Sequence, residues 1–84
     1  MQCVIYKSLM KQDSYLYLTV KEDISRVPDA LLELLGELVH VMDLDLFPGR
    51  RLAQEDVADV LQNLRERGWH LQMPRQNEWQ GVRH

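Results

Sequence analysis

The chain holds one cysteine, Cys3, in 84 residues. No disulfide can close within it, so a reducing cytoplasm is the expected setting. No apolar run approaches the ~20 residues of a membrane span, which excludes an integral helical protein as an expectation. Residues 1–7 contain no basic segment leading into an apolar stretch, so no secretory leader is expected. The four glycines, Gly36, Gly49, Gly68 and Gly81, stand alone. That excludes a glycine-rich phosphate loop, and no cofactor is expected. The only serines, Ser8, Ser14 and Ser25, lie outside any glycine-flanked nucleophile turn. Lysine is scarce, confined to Lys7, Lys11 and Lys21, and the net charge is −3. General nucleic-acid binding needs a basic footprint that this balance does not supply.

What is present suits a single small domain: 45% hydrophobic and 27% charged residues. Residues 2–8 read as a strand apolar on both faces, and residues 15–20 as a second strand of aromatic and β-branched composition. Pro28 and Asp29 open a short leucine-rich helix that Gly36 ends. Residues 38–46 form a third strand, with His40, Met42, Leu44 and Leu46 on one face and Val39, Val41, Asp43 and Asp45 on the other. After the turn at Pro48-Gly49, residues 54–67 carry the apolar stripe Val57, Val60, Leu61 and Leu64 of an amphipathic helix, with Glu55 and Asp56 in its first turn. Residues 69–73 alternate as a fourth strand. The order β-β-α-β-α-β predicts a mixed α/β (α+β) fold, a small four-stranded sheet packed with helices as an α/β/α-like sandwich. The third strand, second helix and fourth strand suggest a right-handed crossover unit. Residues 1–74 make the domain, and residues 75–84 a loosely ordered tail.

The reactive side chains are thinly spread. Cys3 lies on an inward-looking strand, where packing is a better account than reactivity. His40, Asp43, Asp45 and His70 are the one histidine–carboxylate grouping, but regular strand alternation sets His40 opposite Asp43 and Asp45. A shared metal ion would need a bulge, and no metal is expected. Tyr15 and Tyr17, near Lys7 and Lys21, offer a stacking platform for single-stranded RNA, against the commoner fate of packing beneath a helix. Arg50 and Arg51 stand together before a helix, able to grip phosphate or carboxylate. Glu55 and Asp56 already occupy that helix start. One arginine is expected to pair with Glu55, Asp56 or Asp45, leaving the other beside an exposed Phe47. Phe47, Arg50 and Arg51, with Trp79 on the tail, form the candidate binding surface.

Several segments together resemble the YcgL domain family of small bacterial proteins: Cys3-Val4-Ile5-Tyr6-Lys7-Ser8, Tyr15-Leu16-Tyr17, Asp23-Ile24-Ser25-Arg26-Val27-Pro28, Pro48-Gly49-Arg50-Arg51-Leu52-Ala53, and Gly68-Trp69-His70-Leu71-Gln72-Met73-Pro74. The resemblance implies a compact sandwich of helices against a small sheet. It carries no established biochemical activity. Members often lie beside a gene for a 3′-exoribonuclease of the ribonuclease D type, a contextual pointer to RNA metabolism. After Pro74 the chain departs from the family pattern of a proline-containing acidic tail. The expected function is a cytoplasmic, non-enzymatic interaction domain, an accessory to RNA processing acting through a protein partner. Direct binding of RNA or a phosphorylated ligand by the 47–51 loop is the alternative, and an uncharacterised enzyme the third.

Overall fold

A computed structural model describes residues 1–74 of the chain. Strand β1 (Gln2–Ser8) and strand β2 (Tyr15–Leu18) form a hairpin at the centre of the sheet. Helix α1 (Asp29–Leu35) follows, then strand β3 (Leu38–Asp45), helix α2 (Val57–Arg67) and strand β4 (Trp69–Gln72). The sheet order is β3-β1-β2-β4, and every pairing is antiparallel. The element order and the layered α/β/α arrangement agree with the sequence. The crossover unit does not form: β3 and β4 lie at opposite edges and run antiparallel. The reason is burial. The β1–β2 hairpin is apolar on both faces, so it takes the two positions that have neighbours on both sides, and the more polar strands take the edges. Helix α2 then carries the chain across one face of the sheet.

Two cores result. Against α2, Cys3, Ile5, Tyr17 and Leu44 pack with Val60, Leu61 and Leu64. Against α1, Val4, Tyr6, Leu16 and Leu18 pack with Val27 and Leu35. Burial of each large aliphatic side chain contributes ~1.5–3 kcal/mol, so a seven-residue helix such as α1 is held by packing rather than by its own propensity. Ser8, fully buried, explains itself through its hydroxyl: it donates to the Leu35 carbonyl and accepts from the N–H groups of Met10 and Lys11. One side chain thereby closes the β1–β2 turn and ties it to the end of α1.

The termini of the elements differ from expectation in instructive ways. Strand β2 stops at Leu18, two residues early, and Val20 is exposed. Pro28 caps α1 from outside rather than starting it, with ψ at 140°, and Gly36 ends the helix at φ 64°, ψ −143°, a region essentially reserved for glycine. Helix α2 begins at Val57, not Gln54. Asp56 is its N-cap, extended at φ −84°, with its carboxylate accepting from Ala58 N–H at 2.9 Å. Gly68 closes α2 in the left-handed conformation, φ 84°. There the Arg26 guanidinium donates to the Glu66 carbonyl at 2.7 Å, supplying a partner for a helix-terminal acceptor.

The largest departure is in β3. Ile5 pairs with Met42 but Tyr6 pairs with His40, so Val41 is an extra residue, a β-bulge. The alternation reverses there. Met42 and Leu44 face α2, whereas His40 and Asp43 share the opposite face, 2.9 Å apart.

Candidate functional site

The segment between β3 and α2 is anchored at both ends. Leu46 is fully buried, and Leu52 packs against the α2-side core. Between these anchors, residues 47–50 make a turn closed by Arg50 N–H to the Phe47 carbonyl at 2.9 Å. Pro48 suits its second position. Gly49 does not adopt positive φ and has open space around its Cα, so the turn does not require glycine. The turn lifts Phe47 into solvent, 48% exposed.

Beside this loop the sheet is not fully covered. Helix α2 starts too late to reach the outer half of β3, and a groove of about 300 Å³ remains between β3 and the loop. Val41, Met42 and Leu44 form one wall, Tyr15 and Tyr17 the floor, and Arg50 and Arg51 the rim. Val39, Val41 and Met42 are all more than 40% exposed, an apolar strip on an edge strand.

The expected arginine–carboxylate pair does not form among the described residues. Glu55 is turned to His70, and Asp56 is committed to Ala58 N–H. Arg50 instead lies 5.9 Å from the centroid of the Phe47 ring and makes a long contact, 3.5 Å, with the main-chain oxygen of Asp45. Arg51 is exposed and has no hydrogen bond or ion pair with any described residue. Both guanidinium charges therefore stand at the groove without a neutralising carboxylate. Trp79 lies outside the described residues.

The tyrosine platform is half dismantled by packing. Tyr17 is buried, donates its hydroxyl to Gln72 at 2.7 Å and meets His70 edge-to-face, with centroids 5.3 Å apart. Burial, with the Glu55 carboxylate second, pushes its phenol up to about 12. Tyr15 alone retains surface in the groove.

The residue set His40, Asp43, Asp45 and His70 is divided. The bulge does bring His40 and Asp43 together, but on the α1 side, exposed, and beside the edge of Tyr6. His70 lies on the far edge strand and the other face, buried, with Nε2 2.6 Å from Glu55 and Nδ1 2.9 Å from Asn63. Among the described residues no three histidine, cysteine or acidic side chains converge on a metal position. Sequence reasoning missed the Glu55–His70–Asn63 chain. Its signal was available in part: Asn63 belongs to the α2 face that carries Val60 and Leu64, and His70 to the strand that follows. Cys3 is buried, and desolvation pushes its thiol up to about 11, away from nucleophilic use. No helix among the described residues is long and apolar enough to cross a membrane.

The architecture is thus a small antiparallel sheet between two short helices, with a partly open groove on one face. The profile of the YcgL domain family matches residues 3–75. A YcgL domain-containing protein of Pseudomonas paraeruginosa is 54% identical over 72 residues, covering 86% of this chain and 74% of the relative. Relatives from Pseudomonas putida and Azotobacter vinelandii, described in the same words, are 53% and 51% identical over the same shares. The chain belongs to the YcgL domain family.

Proposed function

We propose that this YcgL domain is a non-enzymatic interaction module whose protein partner sits in the groove lined by Arg50, Arg51 and Leu52, at the end of the 47–51 loop. The observation that carries this reading is the pairing of an exposed apolar wall, Val41 and Met42, with two guanidiniums that have no carboxylate partner among the described residues. Arginine and tyrosine are enriched in interface hot spots, and Arg50, Arg51 and Tyr15 line this groove together with its apolar wall. The groups with chemical potential are otherwise engaged: Cys3 in packing, and His70 between Glu55, Asn63 and Tyr17. The reading places the protein in the cytoplasm as an accessory to RNA processing. Support for that setting comes from the genomic context of the family resemblance.

A second reading, direct RNA or phosphorylated-ligand binding, is favoured by the adjacent guanidiniums of Arg50 and Arg51, which have no carboxylate partner among the described residues, and by Tyr15 in the groove. Capture from lysate on the immobilised full chain separates the two. A protein retained after nuclease treatment, and lost with Arg50→Ala or Arg51→Ala at unchanged melting temperature, supports the leading reading. Retention of nucleic acid, with affinity that falls steeply as salt rises, supports the second. Capture unaffected by either arginine substitution removes the groove from both.

A further inference from the structure

We infer that the occupant of this groove is an extended acidic–apolar peptide of the partner, added as a fifth strand along the outer edge of β3. The inference rests on the groove reading above and specifies the shape and charge of what fills it.

Strand β3 has a neighbour on one side only, β1, so the backbone groups on its outer edge meet no strand among the described residues. Edge strands are ordinarily blunted by lysine, proline, inward charge or a covering segment. The C-terminal half of β3 is guarded in this way by Asp43 and Asp45. The half before Asp43 carries only the bulge at Val41: Leu38, Val39, His40, Val41 and Met42 include no lysine, proline or carboxylate, and residues 39–42 are exposed. An exposed stretch without a charge or proline suits main-chain pairing with an extended segment, whose alternate side chains then enter the neighbouring pocket.

The groove supplies the side-chain selection. On the α2 face an added strand passes beside Val41 and Met42 and beneath Arg50 and Arg51. Apolar side chains bury the first pair, and carboxylates neutralise the second. Strand alternation matters to this selection. Asp43 pairs with Val4 and Asp45 with Gln2, so both carboxylates lie on the α1 face and the α2 face of β3 presents no acid beside the arginines. A basic peptide gains nothing there, since the rim is cationic.

The test uses the full chain and a fluorescein-labelled seven-residue peptide whose odd positions, on one strand face, are glutamate, valine, valine and glutamate with threonine between them, and a control in which lysine replaces glutamate. Binding is followed by fluorescence anisotropy and by amide hydrogen exchange of β3. The expected result is binding of the acidic peptide only, with slowed exchange across residues 38–42. Arg50→Ala and Arg51→Ala should each weaken it about fivefold, the fold-change that corresponds to ~1 kcal/mol. Two further peptides carry backbone N-methyl groups on alternate residues, in opposite phases. Strand addition uses one edge of the peptide, so one phase should lose binding and the other retain it. Equal behaviour of the two phases, or binding that leaves β3 exchange unchanged, overturns strand addition while leaving the groove reading standing. Loss of β3 exchange without peptide also overturns it. If that protection depends on protein concentration, the edge belongs to a second copy; if it does not, it belongs to residues 75–84. Arginine-independent capture in the lysate experiment would instead remove the groove reading itself.

Discussion

Replacing Glu55 with alanine should be among the most costly single changes outside the hydrophobic core. His70 is only 7% exposed, and both ring nitrogens are engaged. The Asn63 amide nitrogen donates to Nδ1, so the ring proton resides on Nε2 and is donated to Glu55 at 2.6 Å. Glu55→Ala leaves that buried N–H without its acceptor, which costs about 1–3 kcal/mol. Taking ~2 kcal/mol and a urea dependence near ~1 kcal/mol per molar for a domain of this size, the urea midpoint should fall by ~2 M. The melting temperature should drop by roughly 10 °C. Glu55→Gln keeps an acceptor and should lose clearly less. In the double variant with His70→Leu the two losses should fall short of their sum, because the orphaned donor is gone. A second readout does not depend on stability. Burial and then the Glu55 carboxylate hold the Tyr17 phenol near 12, so Glu55→Gln should lower it in an ultraviolet titration of folded protein. If Glu55→Ala unfolds within ~0.5 kcal/mol of wild type, or no worse than Glu55→Gln, the buried acceptor argument is wrong.

The glycines offer a contrast in one experiment: Gly49→Ala should be neutral or stabilising by ~0.4–1 kcal/mol, whereas Gly68→Ala should destabilise by more than that. At Gly49 a methyl group meets nothing and φ is not positive, while at Gly68 φ is 84° and a methyl would lie 3.0 Å from the Arg26 guanidinium; equal thermal shifts would contradict this. Cys3 should resist a thiol-specific reagent at pH 8 in the folded state and react readily in urea, since its thiol is held up to about 11. Because that folded value lies above the ordinary one of 9.0, the stability linked to the protonated thiol is complete below about 9 and declines as pH rises toward about 11; Cys3→Ala should flatten that decline.

Local signals carried much of this fold. The alternation of β4, the leucines of α1 and the Val60-Leu61-Leu64 stripe of α2 are periodicities set by neighbouring residues, and they located those three elements. Gly36 and Gly68 likewise announced helix ends through their own conformational freedom. Phe47 and the two arginines were legible as a surface loop because Pro48-Gly49 marks a turn whatever surrounds it.

Tertiary structure decided what depends on distance along the chain. The position of β3 against β1 rather than beside β4 follows from competition among all four strands for the buried centre. The bulge at Val41 follows from fitting β3 to both halves of β1, and local alternation carries no trace of it. The partner of Glu55 is a histidine 15 residues away that becomes buried only when α2 settles on the sheet. That contact, with Asp56 held by Ala58 N–H and Asp45 beside the N-terminal amine, removes the carboxylates expected for Arg50 or Arg51 and leaves their charge at the groove. The sequence by itself determined which side chains reach the loop. Only the packing of α2, which is too short to cover the edge of β3, decided that the loop overlooks an open apolar groove.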